Sequence, residues 1–403
     1  MRIAAATLLV ALGCASTPDR GACPSDDAAP TTNPFLLADD SPYRTDPVLR
    51  AKVEKSAHRF FRAGNDAFTR EVCRAFTEVR ATIPIVTLHG DAHLEQIATR
   101  DDRVGLVDFD DSVSGPSVID VVRFGVSVAL VADARGWPRR DAVRAFLDSY
   151  IAALSEAPAP PMPPAIAALN AAPRPSPAEF LASADALMVL GTPPDKVQES
   201  IDTWERYTKL MVRMHPEHDA SFYRVKRKGR PRSVGVGSAT TKRVFRRIEG
   251  PTPADDDDLI LEAKEITERG AFPCTQGRGG LSIRIIMSAL QFGGDDPFVA
   301  IIPRDPSEPI DDDPWWVQSW SPRYAELDVG TAFSRKQDLS DVASFAAWQL
   351  AKGHTSFLPR PYDVQLRLLA YNAAIEHRAR IEALIERLAD QIEEAYAALV
   401  ATR

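Results

Sequence analysis

The chain has 403 residues, 45% of them hydrophobic and 26% charged, with a formal net charge of −8. That length and apolar content suffice for one large domain or two lobes with cores of their own, and they exclude a disordered chain. The acidic balance argues against a nucleic-acid binder, which needs cationic surface for phosphates.

The N-terminus reads MRIAAATLLVALGC. Arg2 supplies one positive charge, and Ile3 to Leu12 form an apolar run. The run is too short to cross a bilayer and fits the core of a signal peptide. Gly13-Cys14 resembles a bacterial lipoprotein cleavage site, although Ala11 and Leu12 depart from its usual residues. The expectation is a signal peptide over residues 1–14, with Cys14 lipidated and the protein held at the cell envelope by that anchor alone. Residues 15–45, rich in Pro, Asp, Ser, Thr and Ala, predict a flexible tether. No other segment reaches transmembrane length. The cysteines Cys14, Cys23, Cys73 and Cys274 contain no CxxC pair, against a zinc site. One disulfide is compatible with an oxidising compartment, its partners left open.

Asp46 to Arg80 has helical spacing, with Val53, Phe60, Phe61, Phe68, Val72 and Phe76 among charged residues. Within it, Arg62 of FFRAG either holds an anion near the site or makes an ion pair, the plainer reading. Ile83 to Leu88 predicts a strand leading into HGDAHLEQ, His89 to Gln96. A polar turn, Thr99 to Asp102, then separates it from a strand ending in LVDFDD, Leu106 to Asp111. The turn brings two acidic clusters to one end of a small sheet. Carboxylates gathered there repel one another unless a proton or cation lies among them, and a hard cation such as Mg²⁺ suits oxygen ligands. After Gly115-Pro116-Ser117, with Ser117 as N-cap, Val118 to Ala132 predicts a helix apolar nearly all round. It carries Asp120 and Arg123, which pair with each other or tie the helix to the preceding loop.

The proline-rich stretch 155–177 predicts a loop or extended spacer. Ala178 to Met214 predicts helix, broken near Gly191 to Pro194, and His215 and His218 on a proline turn read as surface residues. From Arg224 to Arg247 there are ten Lys or Arg and no acid. In that run SVGVGSATTKRVF gives a Gly235-Val236-Gly237-Ser238 turn before a strand, and LILEAKE then places Lys264 in an apolar strand. A glycine turn that lets backbone N–H groups approach phosphates, followed by a strand with a central Lys, is how protein kinases cover ATP. The plainer readings are an ordinary hairpin and a solvated basic face. SIRIIMSAL predicts a short helix, and Phe298 to Ile302 and Trp315 to Trp320 predict strands, completing a five-stranded sheet with one helix. Asp338 to His354 and Tyr362 to Val400 predict core-packing helices.

HGDAHLEQ followed by LVDFDD resembles the catalytic segment of aminoglycoside phosphotransferases and choline kinases, relatives of protein kinases. FFRAG, HGDAHLEQ, VDFDDSVSGPSVIDVVRF, SVGVGSATTKRVF, LEAKE and LAKGHTS more closely resemble the bacterial domain-of-unknown-function 2252 family. The kinase resemblance implies Asp91, with His89, as catalytic residues; Asp108, Gln96 and Asp110 as metal ligands; and Gly235, Gly237, Ser238 and Lys264 as nucleotide contacts. It implies Mg²⁺ and ATP as cofactors, and a small-molecule or protein hydroxyl as phosphate acceptor. Gln96 stands where that pattern has Asn, and Asp110 where it has Gly, with Asp111 an alternative ligand. No Glu in Ser282 to Leu290 is available to pair Lys264, which leaves Glu265 and Glu268. Because Gly235 and Lys264 follow Asp91, the implied fold is α+β, a two-lobed kinase-like fold that is circularly permuted. Residues 46–221 are then a helical lobe with the catalytic loop, 222–330 a small β lobe, and 331–403 helices completing the helical lobe. The implied activity is phosphotransfer. The rivals are a catalytically silent kinase-like ligand-binding module at the cell envelope and a metal-dependent phosphoesterase using His89, His93, Asp91 and Asp108.

Overall fold

The computed structural model describes residues 32–100, 103–189, 200–229, 243–266, 274–275, 281–293, 296–302, 315–356 and 358–402. The expected signal peptide and the Gly235 to Ser238 turn lie outside these residues. Helices α1 (Pro42–Thr45), α2 (Pro47–Val53), α3 (Ala57–Ala63) and α4 (Asn65–Ala75) open the described chain. Their starts are set by proline at the first position and by side-chain caps: Asp46 accepts from Val48 and Leu49 N–H, and Ser56 from Arg59 N–H. Asn33 donates to the Gln391 carbonyl at 2.6 Å, and Phe35 is buried in the main core. The chain from Asn33 onward is therefore packed, and is not part of a tether reaching residue 45. Residues 33–403 form one compact unit.

Strand β1 (Ile85–Leu88) leads into the HGDAHLEQ loop, followed by β2 (Ile97–Arg100), β3 (Arg103–Leu106) and β4 (Val113–Pro116). β2 and β3 form the expected hairpin, with Ile97 opposite Leu106. β1 does not join it: β1 pairs antiparallel with β4, Leu88 opposite Val113. The one small sheet expected here is two, and the acidic turn runs between them. Helix α5 (Val118–Asp133) is buried from Val118 to Ala132, as its composition requires, although Ser117 makes no side-chain cap. Next come α6 (Arg139–Leu154), α7 (Pro164–Ala171), α8 (Pro177–Met188) and α9 (Ser200–Met214). α7 corrects the reading of 155–177 as non-helical. Its proline occupies the first turn, where a missing N–H costs nothing, and the next seven residues are proline-free.

Strands β5 (Val225–Lys228), β6 (Arg243–Ile248) and β7 (Leu259–Glu265) are followed by α10 (Leu281–Ser288), β8 (Ala300–Ile302) and β9 (Trp315–Trp320). They build a five-stranded antiparallel sheet of order β5-β6-β7-β9-β8. The chain then passes to β10 (Ala325–Glu326), which pairs with β2 in the order β10-β2-β3. Helices α11 (Lys336–Thr355), α12 (Tyr362–Glu376) and α13 (Arg378–Val400) close the fold, which is mixed α+β with antiparallel sheets.

Side-chain alternation along β7 decides what each sheet face meets. Leu261 and Ala263 pack with Trp204, Tyr207 and Met211 of α9. Ile260, on the other face, packs with Leu181 and Met188 of α8. Glu262 and Lys264 share that second face by period. A boundary at residue 221 therefore cuts α8 and α9 from the sheet they cover. Conversely, α10 contributes Ile285 to the helical core. Cys73 of α4 and Cys274 form a disulfide, Cα–Cα 5.3 Å, across 201 residues. A cross-link over so long a loop restricts the unfolded chain strongly. Reduction should lower the unfolding free energy by about 2–4 kcal/mol. Urea melts with and without reductant measure this, and coincident melts would contradict it.

Candidate functional site

The HGDAHLEQ loop is shaped by glycine and by α5. Gly90 has φ +82°, and a Cβ there would lie 1.9 Å from the Asp111 carbonyl oxygen, so any side chain would push the acidic turn away. Asp120 accepts from the backbone N–H of His89 at 2.6 Å and of Gly90 at 2.9 Å. Its carboxylate also meets His354 Nε2 at 3.1 Å, while His354 Nδ1 lies 2.8 Å from the Tyr150 hydroxyl. A carboxylate only accepts, so Nε2 carries the His354 proton and Tyr150 donates to Nδ1. This gives the His of LAKGHTS a role: it holds the residue that holds the loop.

Arg123, one turn further along α5, grips Asp91. Its Nε donates to Oδ1 at 2.8 Å and its Nη2 to the same oxygen, with the guanidinium lying over the Phe61 ring. Asp120 and Arg123 thus bind two successive parts of the loop rather than each other. The other Asp91 oxygen receives Gln96 Nε2 at 3.3 Å, and His93 Nε2 approaches it at 3.4 Å without hydrogen-bond alignment. His89 turns elsewhere. Its Nε2 donates to the Val107 carbonyl at 2.9 Å, and its Nδ1 accepts from Asp91 N–H at 3.4 Å, so both ring nitrogens serve the backbone. Arg62 pairs with the buried Glu95 at 2.8 Å, joined by Arg59 at 2.9 Å. That is the plainer of the two readings of FFRAG.

The acidic turn meets the five-stranded sheet. Asp108 has φ +67°, a left-handed conformation that Asp tolerates better than most residues. Lys264 Nζ donates to Asp108 Oδ1 at 2.7 Å and lies 3.4 Å from Asp110 Oδ2. Lys264 is 3% exposed and stands 4.9 Å from the Trp316 ring centroid, on the strand paired with its own. Arg243, opposite Lys264 in the β6–β7 register, reaches Glu262 at 3.2 Å and Asp110 at 4.0 Å. Glu262 also accepts from Gln318 at 2.7 Å and from the Trp320 indole at 3.3 Å. Arg284 of α10 donates to the carbonyls of Asp110 and Ser112, at 2.7 and 2.6 Å. Asn65 of α4 donates to the Gly90 carbonyl at 3.0 Å and to Asp111 Oδ2 at 2.9 Å, so Asp111 serves the turn's frame.

These contacts set the protonation of the site. Burial alone would raise Asp91, but Arg123 and then His93 oppose it and hold the carboxyl well below the usual range. Burial likewise works against Asp108, and Lys264 and Arg243 overcome it and lower its pKa. Asp110 goes the other way: burial and the neighbouring Asp108 outweigh Lys264 and push it to about 6. Its Oδ1 is buried without a hydrogen-bond partner. Burial lowers His93 to about 4.

Asp91 and Gln96 therefore meet in one group, and Asp108, Asp110 and Lys264 in another. Gly235, Gly237 and Ser238 lie outside the described residues. So does Glu268, and it is Glu262, not singled out from the sequence, that enters the Lys264 network. Its signal was present as Glu at i−2 of Lys264 on the same strand face. Among the described residues of the basic run, Arg227 and Arg247 reach Asp185, and Lys226 reaches Asp258. His218 stacks on Phe222.

Residues 46–170 match the model of a family described as an uncharacterized protein conserved in bacteria, DUF2252. The match supports the family expected from the motifs. It contains the HGDAHLEQ loop, the acidic turn and α5, while Lys264, Arg243 and His354 lie beyond it. No curated protein and no solved structure matches the chain, so the kinase-like resemblance gains no support from these comparisons.

Two outcomes follow from the charges. Arg123→Ala would leave Asp91 buried beside an empty space and should cost about 3–5 kcal/mol of stability, measured by denaturant unfolding. Asp110, with its raised pKa, favours folding where it is protonated and loses that contribution as pH rises through about 6. Asp110→Asn should therefore raise the melting temperature relative to the parent at pH 8 and give no such gain at pH 4. An equal shift at both pH values would contradict the burial argument.

Proposed function

We propose that this chain is a Mg²⁺-dependent phosphotransferase of kinase-like fold, circularly permuted, that moves the terminal phosphoryl group of ATP to a hydroxyl on a small-molecule or protein acceptor. The observation that supports it is the meeting of Lys264 with Asp108, 156 positions apart, where a strand lysine faces the carboxylate of a VDFDD turn. The donor set also fits a hard cation. Asp108 and Asp110 offer oxygens, and one Asp110 oxygen is buried without a partner, which a cation would satisfy. One or two carboxylates suffice for Mg²⁺ when phosphates and water complete its shell. Asp108 and Asp110 would hold the cation, which would supply charge neutralisation to the phosphates; Gln96, expected as a further ligand, is instead engaged with Asp91.

The chain's own residues divide the remaining work. Lys264 supplies a point charge for the phosphates, and the Gly235 to Ser238 turn their backbone donors. In the transfer, the acceptor oxygen forms the new bond to phosphorus, the bond to the ADP oxygen breaks and its electron pair leaves with ADP, and the proton of the acceptor hydroxyl passes to the Asp91 carboxylate. Asp91, held ionised by Arg123, orients that hydroxyl. His89 fixes the loop through its two backbone bonds.

The reading includes export and a lipid anchor on Cys14. The Cys73–Cys274 disulfide supports it, because such bonds persist in oxidising compartments. An exported protein meets little ATP, and Gln96 donates to Asp91 where the kinase pattern has Asn. Both facts favour a second reading, a silent module that binds another phosphorylated ligand in the same site. The phosphoesterase reading needs His89 as a metal ligand, and both its ring nitrogens are taken by backbone.

Asp91→Asn should reduce phosphotransfer about 10²- to 10⁴-fold per folded molecule, with the folded fraction read by circular dichroism, and an undiminished rate would refute the assignment. Titration calorimetry with ATP and Mg²⁺ separates the first two readings. Heat that disappears in Lys264→Met supports the enzyme. No heat with nucleotide, alongside heat with another phosphorylated ligand, supports the module.

A further inference from the structure

Helix α12 is docked by alanines: Ala370, Ala373 and Ala374 face the core. The opposite side is apolar and open. Leu358, Tyr362, Val364, Leu368, Leu369 and Ile375 are each between 39 and 60% exposed. Val364, Leu368, the half-buried Tyr371 and Ile375 repeat at steps of four, three and four, the spacing of a coiled-coil seam. Scattered exposed apolar residues are ordinary; a contiguous stripe of this kind marks a contact.

We infer that this face pairs with the same face of a second copy of the chain, α12 against α12, antiparallel about a twofold axis. Three features of the face select that occupant. First, the seam is self-complementary: antiparallel pairing sets Val364 against Ile375 and Leu368 against Tyr371, and Gln365 and Asn372 beside it carry no charge to repel a copy. Second, the ends are complementary. Arg360, with its side chain 85% exposed and 4.0 Å from Asp363, precedes the N-terminus of α12, and Glu376, 62% exposed and 4.0 Å from His377, closes its C-terminus; both contacts are long, so an antiparallel pair can set these unlike charges within about one turn of each other. Third, the area suffices. The stripe together with the flanking Leu358, Tyr362 and Leu369 presents on the order of 500 Å² of apolar surface, and two copies with their polar rims bury roughly 1,000 Å², the lower bound of a specific interface. A lipid surface fits less well. The chain carries net charge −8, and Arg367 at the stripe's edge is paired with Glu156 at 2.9 Å, whereas membrane-surface helices present free cations to anionic lipid.

The test is sedimentation equilibrium of the full chain at micromolar concentration, beside Leu368→Glu and Ile375→Lys. The expected result is a dimer for the parent and at least a tenfold weaker dimer for each variant, with thermal melts by circular dichroism showing both variants folded. A monomeric parent would overturn the inference. So would a dimer that persists in both folded variants, or a monomeric parent that co-sediments with neutral phosphatidylcholine vesicles.

Discussion

One ion pair joins the two stretches of this chain that carry its charged chemistry. Lys264, at the end of a strand in the five-stranded sheet, donates to Asp108 in the turn between two other sheets. A lysine 3% exposed needs an acid, and carboxylates as close as Asp108 and Asp110 need a cation. Each side therefore makes the other's burial tolerable. Arg243 and Glu262 extend the arrangement into the sheet, so that charge alternates rather than accumulates.

The rest of the fold presents the two sides to each other. Asp120 and Arg123, three residues apart on one buried helix, take the backbone and the carboxylate of the same loop. Asn65 of α4 and Arg284 of α10 both hold the acidic turn. Those two elements belong to segments that the Cys73–Cys274 bridge also joins. Groups fixed in this way lose little freedom when a ligand arrives, which is the physical content of a preorganised site.

Much of this was legible in the chain itself, for identifiable reasons. β3 occupies the apolar run beginning at Val104 and β7 the stretch LILEAKE, because strand signals are local, whereas β2 takes up Thr99 and Arg100 that read as turn. The helix carrying Asp120 and Arg123 was legible from its apolar circumference. What escaped depends on contacts distant in sequence. Pairing β1 with β4 rather than with the hairpin is set by tertiary packing. Glu262 became a neighbour of Arg243 only through the β6–β7 register. The roles of His354 and Tyr150 need α11 and α6 to converge behind α5, which no periodicity announces. Prolines around α7 hid a helix because they lie at its first turn and beyond its end.

The site depends on the coupling between Lys264 and Asp108. A double-mutant cycle measures it: denaturant unfolding of the parent, Lys264→Met, Asp108→Asn and the double variant under one set of conditions. Contacting charged residues in one network should give an interaction energy of about 0.5–3 kcal/mol, the double variant being less destabilised than the sum of the singles. Strict additivity would mean that the two stretches do not depend on each other, and would contradict the account.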